Sequence, residues 1–195
     1  MQHLTLKAVA VASSLVLVVG GCATTGAGTG QGDAASAQGL SKAGAQAEDF
    51  TTRDIDGRTV RLGDYLGKQA VLLDFWATFC QPCMAEMPHL RRLYEAYKDK
   101  GFVILAVSMD GPESLSEVPS FARRNSMTFP VVFDEDSRIA SLYNPRKSAP
   151  LSVLIDKSGR VVGVREGYSP GDEETLEKEI QAAVTVSSSG AKPRE

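Results

Sequence analysis

The order of apolar runs predicts an α/β protein with a central mixed β-sheet flanked by helices. Two observations carry this. Short apolar runs of strand length alternate with longer stretches of helical period. The chain then closes on a turn-linked pair of strands and one last helix, a change that adds antiparallel strands to the sheet.

The elements follow in order. Residues 50–62 place Asp56-Gly57, a hairpin turn signal, between flanks bearing Thr, Ile and Val, which predicts an N-terminal β-hairpin. Residues 64–68 read as a short turn. Val71-Leu72-Leu73-Asp74-Phe75-Trp76 is the mostly apolar run of a central buried strand. Over 84–100, Met87, Leu90, Tyr94 and Tyr97 recur at spacings of three and four, which predicts a helix. A second apolar strand spans 102–109, a helix 113–125, a short strand 129–133 and a short helix 137–143. Residues 151–155 form a third apolar strand, and Lys157-Ser158-Gly159-Arg160 turns the chain into a partner over 161–164. The closing helix, 173–186, carries Leu176, Ile180 and Ala183 on one face.

Composition limits the function. The chain has 195 residues, 43% hydrophobic and 23% charged, consistent with one soluble globular domain. Its formal net charge of −3 excludes a strongly basic protein that holds nucleic acid on a cationic surface. Three cysteines are too few for a disulfide-stapled miniprotein, and two histidines limit a histidine-rich metal site.

The first cysteine belongs to the N-terminus. Lys7 precedes an uninterrupted run of apolar or small residues over 8–19, shorter than the roughly 20 residues a spanning helix takes and suited to a signal-peptide core. Val19-Gly20-Gly21-Cys22 resembles the lipobox of bacterial lipoproteins, which implies cleavage before Cys22 and a lipid on its thiol. The alternative is an ordinary secretory signal with a chance cysteine. Either way residues 1–21 are a leader. Residues 22–47 are rich in Gly and Ala, with Leu40 the only large aliphatic, and read as a lipidated cysteine and flexible tether. The folded domain is expected over 48–186 and a disordered tail over 187–195. Ala23 after Cys22 favours the outer membrane if there are two membranes, with the domain facing the periplasm, or the extracellular side in a single-membrane bacterium.

The other two cysteines carry the chemistry. Cys80-Gln81-Pro82-Cys83 lies where the apolar strand gives way to a helix. There the unpaired backbone N–H groups and the helix dipole stabilise an anion, so the first thiol is expected to ionise readily. Pro82 suits a first helical turn, where its missing N–H costs little. A structural zinc site, a c-type haem site and a purely structural disulfide are the competing readings. Zinc needs about four ligands and no second cysteine pair exists. Haem needs a histidine where Met84 stands. A loop this short adds little constraint on the unfolded chain.

The segment from Val71 through Trp76-Ala77-Thr78-Phe79 to Cys83 resembles the active-site segment of thioredoxins. Cys80-Gln81-Pro82-Cys83-Met84-Ala85-Glu86-Met87-Pro88 is similar to the membrane-anchored TlpA/ResA-like branch, within the wider redoxin and AhpC/TSA superfamily. Phe129-Pro130-Val131-Val132-Phe133-Asp134 and the run Pro150 to Asp156 match as well. The resemblance implies a thioredoxin-like fold with an N-terminal β-hairpin and a central insertion. It implies an extracytoplasmic thiol–disulfide oxidoreductase with no cofactor and no metal. Its partners are protein dithiol or disulfide substrates and an upstream thiol reductant, such as a membrane electron carrier. It implies a monomer, and reduction rather than oxidation, often in cytochrome c maturation.

The same resemblance assigns roles. Cys80 attacks and Cys83 resolves. Asp74, a carboxyl inside an apolar strand, accepts the proton of Cys83, and Glu86, one helical turn past Cys83, lies beside the site and tunes proton transfer or substrate choice. Pro150 is a candidate cis-proline beside the disulfide, with Ala149 before it where the family commonly has Thr. Trp76, Phe79 and Pro82 support the site, and Phe79 replaces the usual Trp. Two other functions stand as alternatives. One is a thiol peroxidase, although Ala77 occupies the position of the peroxiredoxin Thr. The other is a non-enzymatic binding module that keeps the fold.

Overall fold

The computed structural model describes residues 42–187. The leader, Cys22, most of the tether and nearly all of the tail lie outside the described residues.

The chain forms β1 (Thr51–Arg53), β2 (Thr59–Arg61), β3 (Ala70–Trp76), α1 (Gln81–Tyr97), β4 (Phe102–Ser108), α2 (Val118–Arg124), β5 (Val131–Phe133), α3 (Arg138–Tyr143), β6 (Leu151–Ile155), β7 (Val161–Glu166) and α4 (Asp172–Thr185). Five strands make one sheet in the order β5-β4-β3-β6-β7. β4 is parallel to both β3 and β5. β6 runs antiparallel to β3 and to β7, so the sheet is mixed as expected. The central insertion is the segment between β4 and β6, which carries α2, β5 and α3.

β3 and β4 are buried along their whole length because both faces of the sheet are covered. Side chains alternate between faces, so each strand supplies two cores. Leu72, Trp76, Ile104 and Leu154 pack with α1, α2 and α4 on one side. Val71, Leu73, Phe75, Leu105 and Val153 pack with α3 and the N-terminal hairpin on the other. Truncating a buried leucine in either layer to Ala is expected to cost about 2–5 kcal/mol.

The hairpin covers an edge. Asp54 Oδ1 accepts the N–H groups of Asp56 (2.9 Å) and Arg58 (2.8 Å), and Gly57 takes φ +80°, which closes the turn. Ile55 N–H then donates to Val131 O at 3.0 Å, so the hairpin caps the open side of β5.

Three boundaries differ from the sequence reading. Residues 42–47, read as the end of the tether, lie against the domain. Gly44 N–H donates to Val161 O (2.7 Å), Val161 N–H to Ala45 O (2.9 Å), and Ala47 N–H to Gly159 O (2.7 Å). These are main-chain bonds, to which a Gly/Ala composition is blind. The helix expected over 113–125 begins as a 3-10 turn, Leu115–Glu117, and becomes α-helical at Val118, with Pro119 in its first turn. α1 starts three residues before the expected point because Cys80 itself is the N-cap.

Candidate active site

The site forms where β3 ends and α1 begins. Four residues, Ala77 to Cys80, connect them. Asp110, just past β4, ties this connection down. Its Oδ1 and Oδ2 accept the Thr78 N–H at 3.2 and 3.1 Å, Oδ1 accepts the Thr78 hydroxyl at 2.5 Å, and Oδ2 accepts the Ser108 hydroxyl at 2.9 Å. Asp110 is buried, and these bonds satisfy its carboxylate.

Cys80 and Cys83 are joined in a disulfide with Cα atoms 5.3 Å apart. Cys80 is the N-cap of α1, and its sulfur accepts the Cys83 N–H at 3.2 Å. No acidic residue sits in the first turn, so the positive end of the helix faces the sulfur alone. Cys80 retains 7% exposure and Cys83 1%, so an incoming partner meets Cys80. Pro82 lies exposed in the first turn. Phe79, next to Cys80, is 73% exposed. The Ala149–Pro150 peptide is cis. Pro150 precedes β6 at the end of the sheet where β3 leads into the cysteine loop, since Leu151 pairs with Phe75. Trp76 is fully buried, with its ring 5.5 Å from that of Phe121 and its Nε1 unpartnered among the described residues. It lies in the core rather than at the surface.

The carboxyls lie beneath the pair. Asp74 points to the α1 side of the sheet, between Leu72 and Trp76, which share a cluster with Cys83. It is 1% exposed and its Oδ1 has no hydrogen-bond partner among the described residues. Burial holds its pKa well above the ordinary carboxylate range, the charge of Glu86 adds to this, and the Ser152 hydroxyl opposes it. Glu86, buried on α1, is pushed up to about 7 by burial. Arg165 lowers it, Asp172 raises it and the Ser152 hydroxyl lowers it. Glu86 also lines a narrow cleft with His89, Arg165, Tyr168, Asp172 and Glu173. His89 Nδ1 stands 3.5 Å from Glu173 Oε1 there.

Three residues of this constellation escaped the sequence reading. Ser152 interrupts the apolar run of β6 as Asp74 interrupts that of β3, and the same signal would have found it. Arg165 pairs with Ser152 in register and Asp110 anchors the cysteine loop. Neither carries a local signal, because each is defined by a contact distant in sequence.

A disulfide-bonded Cys-x-x-Cys capping a helix on a five-stranded mixed sheet, with two buried carboxyls behind it, defines a thioredoxin-like thiol–disulfide oxidoreductase. The chain belongs to the AhpC/TSA family, which matches residues 43–164. It is 39% identical over 139 residues to the thiol-disulfide oxidoreductase ResA of Geobacillus kaustophilus, covering 71% of this chain and 76% of that one. It is 41% identical over 124 residues to ResA of Geobacillus thermodenitrificans, covering 64% and 69%. Among solved structures it resembles a Chlorobium tepidum chain assigned as a thiol:disulfide interchange protein DsbE, with TM-score 0.67, 36% identity and coverage of 73% and 98%. The thioredoxin domain of a Bacteroides vulgatus thiol-disulfide oxidoreductase gives TM-score 0.58, 29% identity and coverage of 71% and 98%. No helix among the described residues is long and apolar enough to cross a membrane.

Proposed function

We propose that this oxidoreductase reduces protein disulfides outside the cytoplasm, held at a membrane surface by lipid on Cys22 and a flexible tether. Cytochrome c maturation is its pathway, and the outer membrane its site where two membranes exist. It works as a monomer and receives electrons from an upstream thiol reductant. The observation that carries the reading is the asymmetry of the pair: Cys80 caps the helix and is the more exposed sulfur, while Cys83 lies beneath it.

The cycle follows from that asymmetry. Cys80 thiolate attacks a substrate disulfide, forming a Cys80–substrate bond and releasing one substrate thiolate. Cys83 loses its proton toward Asp74 and attacks the Cys80 sulfur. The Cys80–Cys83 bond forms, the Cys80–substrate bond breaks, and the second substrate thiolate leaves. Two electrons have passed to the substrate, and the upstream dithiol restores the pair by the reverse exchange. Phe79, Pro82, Ala149 and cis-Pro150 form the rim that receives the partner.

Replacing Cys83 with Ser tests the assignment. The variant should accumulate mixed disulfides on Cys80, and mass spectrometry of the trapped species identifies the substrate. Trapping through position 83 in a Cys80→Ser variant, with none through Cys80, overturns it.

A further inference from the structure

A second segment borders the site. Residues 148–150 precede β6, whose first residue, Leu151, pairs with Phe75 near the end of β3. Ala149 is half-buried and packs against the cluster that contains Trp76, Cys80 and Cys83. Pro150 O accepts the Gly167 N–H at 2.8 Å, but no hydrogen bond among the described residues uses the main chain of Ala149. A free N–H and C=O can pair with an extended peptide. What fixes their position is Asn144, the C-cap of α3. It is 1% exposed, and both polar ends of its side chain are used. Its Oδ1 accepts the Ser148 N–H at 2.9 Å, and its Nδ2 donates to Ser148 O at 2.7 Å and to Met109 Sδ at 3.4 Å. Its main-chain carbonyl accepts the Lys147 N–H at 2.8 Å. Lys147 takes φ +53°, a left-handed conformation that a lysine keeps only where its neighbours impose it. Met109 in turn donates its N–H to Trp76 O at 2.9 Å, where the cysteine loop leaves β3. One side chain therefore ties the segment before β6 to the root of the cysteine loop.

We propose that Asn144 is a positioning residue for protein substrates: it holds residues 147–149 in place, so that the main chain of Ala149 is set to receive the extended peptide that carries the target disulfide. This rests on the reading that Cys80 attacks disulfides of protein partners. The side-chain bonds of Asn144 go to Ser148 and Met109 and not to the cysteines, so it acts on the shape of the groove and not on electron transfer. With Asn144 cut to Ala, the Ser148 N–H and C=O lose their partners. One tie is left, the Ser148 hydroxyl donating to Glu166 Oε1 at 2.6 Å, and it is exposed. The segment then spreads over several conformations, and only the fraction in the native one receives a peptide. Apparent affinity for the peptide falls by that fraction. A small disulfide reaches Cys80 without pairing to a main chain, so its reduction does not depend on the segment.

The test uses insulin as the protein disulfide and a chromogenic aromatic disulfide as the small one, with dithiothreitol restoring the cysteine pair. Asn144→Ala should raise KM for insulin about five-fold or more, while kcat and the rate with the aromatic disulfide stay within about two-fold of wild type. Leu105→Ala, a buried truncation in the middle of β4, reports the effect of lost stability alone and should leave KM for insulin near wild type. Hydrogen exchange of the oxidised Asn144→Ala protein should quicken at Lys147 and Ser148 and stay slow in β6. An unchanged KM for insulin in Asn144→Ala, an equal rise in Leu105→Ala, or an equal loss with both substrates overturns the proposal. If wild type reduces the aromatic disulfide but not insulin, the reading of protein substrates fails and this proposal with it. If wild type reduces insulin and Asn144→Ala does so with the same KM, the Asn144 proposal alone fails.

Discussion

The charge of Glu86 on α1 opposes ionisation of Asp74 on β3, although each carboxyl is buried by a different element. Both hold protons more tightly in the folded protein than in the unfolded chain. Between the ordinary carboxylate range and the folded values the native state therefore binds more protons, and stability falls as pH rises. For Glu86 the window runs from about 4.5 to about 7 and is worth on the order of 3 kcal/mol, and Asp74 extends the loss to higher pH. Denaturant unfolding of the oxidised protein across pH 4–8 should show this decline. Glu86→Gln should flatten the lower part of it, and Asp74→Asn should raise stability at pH 8. A pH dependence that neither Glu86→Gln nor Asp74→Asn changes refutes the assignment.

Phe79 presents its ring to solvent beside Cys80, the more exposed of the two sulfurs. Loss of an exposed side chain changes stability by no more than about 0.5 kcal/mol. Phe79→Ala should leave thermal unfolding and reduction of a small aromatic disulfide near wild type. It should raise KM for a protein disulfide several-fold, and Phe79→Trp should restore it. Equal effects on small and protein substrates would assign Phe79 to the redox chemistry instead of to docking.

Asp110 makes its contacts to Thr78 and Ser108 with a buried carboxylate. Hydrogen bonds to charged groups contribute about 1.5–3 kcal/mol each in mutational series. Asp110→Ala should destabilise the protein by about 2–4 kcal/mol. It should also shorten hydrogen-exchange protection in the loop from Ala77 to Cys80 more than in β3. Uniform loss of protection across the sheet would mean that Asp110 supports the fold in general and not this loop.

Most of the secondary structure was legible in local pattern. The apolar run of Val71 to Trp76, the spacing of Met87, Leu90 and Tyr97, and the Asp56-Gly57 turn each encode their element within a few residues. The disulfide pair was legible for the same reason, because Cys80, Pro82 and Cys83 lie within one helical turn at the helix start. Asp74 stood out as a carboxyl within an apolar strand. The docking of residues 44–47 onto β7 was not legible, because main-chain hydrogen bonds use no side-chain signature. Asp110 gave no signal because its partner Thr78 is 32 residues away.

The amino-acid order by itself determined the strand and helix periods, the helix-capping cysteine pair and the presence of a carboxyl in the central strand. These depend on spacing of a few residues along one element. Only the tertiary structure decided which groups act on those carboxyls. The antiparallel register of β3, β6 and β7 sets Asp74, Ser152 and Arg165 in one row, and the packing of α1 brings Glu86 onto it. Burial and charge proximity, which raise the proton affinity of both carboxyls, exist only once those elements are assembled.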